Sequence, residues 1–83
     1  MERIALISAI LESPDKNQDR FNEIVSSHKA IIKGRMGLPF EEQGIAVIAI
    51  VVIGTLDEIN SLTGKLGRVP NVQVKTAIST KTP

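Results

Sequence analysis

The longest apolar run of the chain reads Ile45-Ala46-Val47-Ile48-Ala49-Ile50-Val51-Val52-Ile53, with Gly44 before it and Gly54 after it. It is about half as long as the roughly 20 apolar residues that a membrane-spanning helix requires. β-branched residues are frequent in the run, and they favour a strand. Because neither alternating face carries a polar side chain, we predict a central strand that is covered on both faces.

Three further strands are predicted, at residues 3–11, 30–36 and 72–78. The first is apolar on both faces, like the long run. The other two are half polar and therefore suit the edges of a sheet. Alternation should place Ile32 and Met36 on one face of the second strand.

Capping residues and apolar spacing predict a helix after the first strand. Either Ser13 is its N-cap with Pro14 at the first helical position, or Asp15 and Gln18 form a capping box. His28 lies at the end of the apolar stripe of this helix. We expect it to cap the last carbonyl groups, because one histidine without cysteine provides too few ligands for a metal site.

A second helix is predicted to begin with a capping box of Thr55 and Glu58 and to be stopped by Gly67 at the C′ position, just beyond the helix. The order is therefore βαββαβ. With right-handed crossovers this order gives an α+β, ferredoxin-like sandwich, with an antiparallel sheet in the order 4-1-3-2 and both helices on one face. We expect one domain over residues 1–83, with residues 79–83 frayed.

The composition excludes several classes of function. The chain has 83 residues and a formal net charge of +1, which gives no field that would attract nucleic acid or an acidic membrane. It has no cysteine and one histidine, and no pair of nucleophile and base is visible. We therefore expect no enzyme, no cofactor and no bound metal. The residues that follow Met1 do not resemble a signal peptide, so we expect a cytoplasmic protein.

Two helices can cover only one face of the predicted sheet, although its central strands are apolar on both faces. A large contiguous apolar face on a soluble protein usually marks a surface for a partner. We therefore expect a homo-oligomer, a dimer or a dimer of dimers, that pairs through the sheet. The residues expected to form this surface are Val47, Ile48, Ala49, Ile50, Val51 and Val52.

Three connections are expected to meet at one end of the sheet: the one after the first strand, the one between the second and third strands, and the one after the second helix. They would bring Arg35, Lys65 and Arg68 together with the carboxylates of residues 12, 41 and 42. These cations could bind a small anionic effector, or the charges could form solvated ion pairs that order the loops. The candidate binding residues are Gly34, Arg35, Met36, Gly37, Lys65, Gly67 and Arg68.

Three segments carry a resemblance to a known family: residues 34–39, the Gly44–Ile45 start of the long strand, and residues 62–76. On these segments the chain resembles the iron-only hydrogenase system regulators, small bacterial proteins of ACT-like fold that are grouped with the sensing domain of the nickel-responsive repressor. The resemblance implies a regulatory role and an oligomer. It does not imply DNA binding, because no ribbon-helix-helix segment precedes the first strand. Nor does it imply nickel binding, because that site needs several histidines and a cysteine.

Two functions remain open at this point. The chain is either a regulatory or ligand-sensing oligomer that binds a small anionic effector, or a structural interaction module whose partner is another protein of the hydrogenase system. The first function requires a small molecule, and the second does not.

Overall fold

Four strands and two helices follow one another in the predicted order. The computed structural model describes residues 1–83, and the elements are β1 (Glu2–Glu12), α1 (Pro14–Ser27), β2 (Ile32–Phe40), β3 (Ile45–Thr55), α2 (Leu56–Gly67) and β4 (Val72–Ile78). Short 3₁₀ turns lie before β2, at 29–31, and between β2 and β3, at 41–43. The strands form one antiparallel sheet in the order β2-β3-β1-β4, which confirms the predicted class and strand order.

β1 and β3 form the centre of the sheet. Their register runs without interruption along both strands, with Ile7 opposite Ile50. Residues opposite each other share a face, so the odd-numbered residues of β1 and the even-numbered residues of β3 lie on the same side. Burial follows this alternation, and both Ile7 and Ile50 are fully buried. The sheet therefore has one covered side.

Both helices pack on the covered side. Phe21 and Ile24 from α1 belong to the same buried cluster as Leu62 and Leu66 from α2 and as Ile7 from the sheet. These helical residues recur at the spacing of an amphipathic stripe, so each helix buries one side and exposes the other. No element of this chain covers the opposite side of the sheet.

Three of the six residues that were predicted to form a partner surface lie beneath the helices instead. Ile48, Ile50 and Val52 belong to the buried cluster. The sequence offered no means of choosing between the two faces, because both faces of this strand are apolar. The three that lie on the side away from the helices are Val47, Ala49 and Val51.

The edge strand β2 differs from its prediction. It spans Ile32–Phe40 rather than residues 30–36. A register shift just after Ile32 changes which residues share a face, so that Ile32 lies on the helix side and Met36 on the other. The strand continues through Pro39 because one side of an edge strand makes no hydrogen bonds to a neighbouring strand.

α1 begins by the first of the two predicted routes. Ser13 is the N-cap and Pro14 lies in the first turn, so the prediction of a capping box of Asp15 and Gln18 is wrong. Ser13 adopts a left-handed conformation, with φ at 53°, and its side chain makes no capping hydrogen bond. Its backbone N–H donates to the Gly44 carbonyl at 2.9 Å. The β2–β3 hairpin thus helps to fix where the helix begins.

His28 ends α1 as predicted. Its Nδ1 lies 2.9 Å from the Ile24 carbonyl oxygen, and its backbone N–H donates to the Val25 carbonyl at 3.0 Å. The Ser27 hydroxyl donates to the same Ile24 carbonyl at 2.7 Å and lies 3.0 Å from Nδ1. The imidazole and this hydroxyl therefore surround a carbonyl group at the end of the helix.

α2 begins with the predicted capping box. The Glu58 backbone N–H donates to Thr55 Oγ1 at 3.2 Å, and the Thr55 backbone N–H donates to Glu58 Oε1 at 2.8 Å. At the other end, Gly67 is the last residue of the helix and Arg68 follows as C-cap. The prediction of Gly67 at C′ is wrong, because Gly67 still belongs to the helix. The one glycine with a positive φ is Gly44.

Gly54 is predicted to be intolerant of a side chain. A Cβ at this position would lie 3.1 Å from Cγ2 of the buried Ile31 and 3.2 Å from Glu58 Oε1. Gly54→Ala should therefore lower the free energy of unfolding by about 1 to 3 kcal/mol, as other overpacked cores do. Chemical denaturation followed by circular dichroism measures the loss. Gly34→Ala is the matched control, since nothing lies within 4 Å of its Cβ position. An equal loss in both variants would contradict the steric explanation.

The carboxylate of Glu58 should make the stability depend on pH. The Glu58 carboxylate accepts a hydrogen bond from the Thr55 backbone N–H and is also hydrogen-bonded to the Thr55 side chain. These bonds hold the pKa of Glu58 below its ordinary value of 4.5. Because the folded-state pKa is lowered, the ionised form favours folding. Its contribution is present above the ordinary pKa and is lost as the pH falls through the folded-state pKa. Glu58→Gln keeps an acceptor without the charge, so it should lower the free energy of unfolding near pH 7 and should lower it less near pH 3.

Urea denaturation at the two pH values measures this difference. Asp57→Asn is the control, because it removes a charge from the same turn without breaking a side-chain hydrogen bond. If the difference between the wild type and Glu58→Gln did not change with pH, the carboxylate would not contribute in its ionised form.

Candidate functional site

The side of the sheet that faces away from the helices forms a continuous surface, which we call the open face. The cross-strand registers place its residues in four rows, one for each strand. The rows contain Gly34, Met36, Leu38 and Phe40 from β2, Ile45, Val47, Ala49, Val51, Ile53 and Thr55 from β3, Glu2, Ile4, Leu6, Ser8, Ile10 and Glu12 from β1, and Gln73, Lys75 and Ala77 from β4.

The open face collects most of the large apolar side chains that are exposed to solvent. Nine large hydrophobic residues are exposed in the chain, and seven of them lie in these rows. The other two are Met1 and Leu56. Three charged residues lie in the rows: Lys75 on the edge strand β4, and Glu2 and Glu12 at the two ends of β1. The apolar middle of the face is typical of a contact with another molecule.

The open face has raised and recessed parts. Met36 and Leu38, on the edge strand β2, are its most exposed large side chains, at 62% and 51%. Toward β4 the face forms a shallow hollow of about 380 Å³, whose lining includes Leu6, Val51 and Ala77. One surface therefore carries both apolar projections and an apolar depression.

At one end of the sheet, the three connections that were expected there come together. The Glu12 backbone N–H donates to the Asn71 carbonyl at 2.9 Å. The buried Asn17 uses its Nδ2 to donate to the carbonyl oxygens of Glu12 at 2.8 Å and Pro70 at 3.2 Å. The sequence prediction missed Asn17, although its place four residues before Phe21, on the apolar stripe of α1, indicates burial.

Arg35 does not lie at this end of the sheet. Its Nη2 donates to Asn22 Oδ1 at 2.6 Å, and its guanidinium carbon lies 5.8 Å from the centre of the Phe21 ring. Both partners belong to α1. The expected grouping of Arg35 with Lys65 and Arg68 is therefore wrong, because β2 is longer than predicted and holds Arg35 in its middle.

The other predicted binding residues do not all lie together either. Three of them lie within β2: Gly34, Met36 and Gly37. Gly67 is exposed at the end of α2. Of the seven candidates, Lys65 and Arg68 are the two that line one concavity.

Lys65 and Arg68 line a concavity between α1 and the end of α2, which we call the cationic notch. Its volume is about 150 Å³, and its lining is completed by Arg20, Val69 and Pro70. Arg20 extends from α1 and was not among the predicted residues. The notch therefore combines two predicted cations with one that the sequence pattern did not indicate.

The ion pairs that could have ordered the loops are not formed. The single salt bridge of the chain joins Arg20 Nη1 to Glu23 Oε1 at 2.6 Å, within α1. Lys65 and Arg68 have no carboxylate within salt-bridge distance. The loops are ordered instead by backbone hydrogen bonds and by the two bonds of Asn17.

The structure shows neither a metal-binding cluster of side chains nor a membrane-spanning helix. No group of three or more histidine, cysteine, aspartate or glutamate residues is placed to hold a metal ion. Neither helix combines the length and the apolar composition that crossing a membrane would require.

Residues 3–76 match the family model of the TM1266-like proteins, a family named for iron-only hydrogenase system regulators. The chain belongs to the TM1266-like family. The structure of an uncharacterized protein, TM1266 from Thermotoga maritima, has a TM-score of 0.90 with 31% sequence identity, over 94% of this chain and 98% of that chain. The resemblance seen in the sequence is thus confirmed. No match is found among curated proteins.

More distant structures share the fold. The C-terminal domain of the MgtC protein from Mycobacterium tuberculosis has a TM-score of 0.68 with 14% identity, over 98% of this chain and 92% of that domain. A protein of unknown function from Galdieria sulphuraria has a TM-score of 0.65 with 14% identity, over 100% of this chain and 48% of that one. At this identity they show a common fold and nothing about activity.

The TM1266-like match includes both surfaces described above. All residues that line the cationic notch lie within the matched range, as do all residues of the open face except for Glu2 and Ala77. Both surfaces are therefore built from the part of the chain that defines the family.

Asn17→Ala should destabilise this family member more than Asn60→Ala does. The first change removes the donors to the Glu12 and Pro70 carbonyls, and loss of such buried hydrogen bonds costs about 1 to 3 kcal/mol. Asn60 is exposed on α2, so its replacement is a control for the change of residue type in a helix. Denaturant unfolding of both variants measures the free energies. Equal values would show that Asn17 does not hold the loops together.

Proposed function

We propose that this chain is a non-enzymatic regulatory module of an iron-only hydrogenase system, and that it acts as a homo-oligomer, a dimer or a dimer of dimers, paired through the open face. Membership of the TM1266-like family supports the regulatory role. The observation that carries the oligomer is the concentration of exposed apolar side chains on one side of the sheet.

A non-enzymatic role is supported by the surroundings of the acid and base groups. Acid–base catalysis needs a side chain that can exchange a proton with a substrate. The one histidine, His28, lies at the end of α1 with no carboxylate within salt-bridge distance, so it lacks the acidic partner that orients many catalytic histidines. The aspartate and glutamate residues are all exposed, whereas catalytic carboxylates usually lie in clefts that shift their pKa values.

The size of the open face suits a stable dimer. Its strands are 7 to 11 residues long, and at about 4.8 Å between strands and about 3.4 Å per residue they give a plane of roughly 600 Å². The accessible area of the side chains is larger than this plane. A standard interface buries about 800 Å² on each partner. The area that pairing of the open face would bury is therefore of the order that a specific complex requires.

A second copy of the same chain is the occupant that we propose for the open face. The net charge of +1 produces little repulsion between copies. A two-fold interface brings different parts of one surface into contact, so each must complement the other. The projecting Met36 and Leu38 of one copy can fill the hollow beside Ala77 of the other. The open face provides both halves of this contact.

Leu6→Lys should convert the oligomer into a monomer. Leu6 lies in the centre of the open face, opposite Val51 and Ala77, and is 45% exposed. A lysine ammonium buried there without a partner would cost more than the interface gains. Light scattering coupled to size exclusion, at several concentrations, measures the mass. We expect at least twice 9.0 kDa for the wild type and 9.0 kDa for the variant.

Leu56→Lys is the matched control, because Leu56 is 42% exposed but lies on α2, away from the open face. It should keep the mass of the wild type. A wild-type chain that stays monomeric at every concentration would overturn the homo-oligomer. The open face would then be available to a different protein of the hydrogenase system, and the chain would be an interaction module.

A further inference from the structure

The cationic notch lies on the helix side of the sheet, so it stays accessible when the open face is covered. We propose that the notch binds a small dianionic oxyanion of the phosphate class, either free or as the terminal phosphoryl group of a larger molecule. This inference goes beyond the oligomeric regulatory role and does not depend on it. Its basis is the charge, the rigidity and the size of the notch.

The charge of the notch matches a dianion. Its lining contains three cations, of which Arg20 pairs with Glu23 at 2.6 Å while Lys65 and Arg68 make no salt bridge. Three cations with one carboxylate leave a formal charge of +2. A phosphate group carries about −1.5 to −2 near neutral pH, whereas a single carboxylate carries only about −1.

The cations approach the notch from two sides. Arg68 follows Lys65 by three residues, so both side chains lie on one side of the end of α2. The Arg68 Nη2 lies 3.9 Å from where a Cβ of Gly64 would be, so its guanidinium extends back along the helix. Arg20 reaches the notch from α1. Two guanidinium groups can each offer paired N–H donors to the oxygens of one anion.

The floor of the notch is fixed before a ligand binds. Val69 is 5% exposed, and its N–H donates to the Leu66 carbonyl at 3.2 Å. The Pro70 carbonyl accepts from Asn17 Nδ2 at 3.2 Å, and Asn17 lies one turn before Arg20 on α1. The same contact thus ties both sides of the notch together. Groups that are already held in place lose less conformational entropy on binding.

The size of the notch limits what it can enclose. A volume of about 150 Å³ is below the roughly 300 to 1,000 Å³ of pockets that enclose drug-sized ligands. It accommodates one anionic group, and the rest of a larger ligand would extend into solvent.

The helix dipole provides a competing explanation for two of the cations. Lys65 and Arg68 lie at the C-terminal end of α2, where partial negative charge favours cations. That explanation needs no ligand, and it predicts the same loss of stability on removing them with or without phosphate. It does not apply to Arg20, which lies in the middle of α1 and far from a helix end.

Titration of isotope-labelled protein with inorganic phosphate, followed by amide NMR shifts, tests the proposal. The shifts should concentrate at residues 17–20 and 65–69, and chloride at matched ionic strength should not reproduce them. The double substitution Lys65→Gln with Arg68→Gln should raise the Kd at least about tenfold, because it removes two charged hydrogen-bond donors. Acetate should bind at least about tenfold more weakly than phosphate, since it carries half the charge.

Lys33→Gln with Lys81→Gln is the matched control, because it removes two exposed positive charges that make no salt bridge and do not line the notch. This variant should bind phosphate like the wild type. The proposal is overturned if the control raises the Kd as much as the notch variant does. It is equally overturned if chloride gives the same shifts, or if acetate binds as tightly as phosphate.

Glycerol 3-phosphate and adenosine 5′-monophosphate distinguish the two sources of the phosphoryl group. Tighter binding of an ester, with additional shifts next to the notch, assigns the group to a larger ligand. Equal or weaker binding assigns it to free phosphate. If neither the esters nor phosphate binds, the proposal fails. The same titration with the Leu6→Lys variant should give an unchanged Kd. Failure of phosphate binding can therefore be distinguished from failure of the proposed oligomer.

Discussion

One side of the sheet is not covered by any element of this chain, and the rest of the structure depends on this constraint. β1 and β3 are apolar at both alternating positions, but the two helices shelter only the positions of Ile7 and Ile50. Leu6 and Val51, which are neighbours across the same two strands, remain exposed. The hydrophobic effect favours burial of both sides equally, because it depends on apolar area and not on direction. A monomer therefore realises only part of the stabilisation that its central strands offer.

The open face and the cationic notch lie on opposite sides of the sheet, and one residue links them. Asn17 bonds to the carbonyl of Glu12, which is the last residue of β1, and to Pro70, which lines the notch. The proposed contact with another subunit and the proposed binding of an anion would therefore use different surfaces, and neither would block the other.

The elements with strong local signals were predicted closely. The start of α2 was predicted because Thr55 and Glu58 satisfy each other within one turn. The central strands were predicted because their apolar runs are short and apolar at both alternating positions, and because the longer one is rich in β-branched residues. β2 was predicted poorly, since an edge strand with three glycines or prolines has weak local signals. Its register shift accompanies a tertiary contact, the packing of Ile31 against Gly54, which no pattern within the strand indicates.

It is harder to predict which surface side chains lie close together than which side chains are buried. Such groups depend on the direction in which each side chain points from its helix, and not on which loops meet. The topology correctly brought three connections to one end of the sheet, yet it placed Arg35 there when the length of β2 keeps it away. Arg20 and Asn22 show why. They are two residues apart on α1, so they point about 200° apart around the helix. Asn22 therefore holds Arg35 on one side of α1, while Arg20 meets Lys65 on the other. A sequence pattern can identify the buried stripe of a helix. It cannot tell which neighbouring element each of the two sides next to that stripe will face, until the packing of those elements is known.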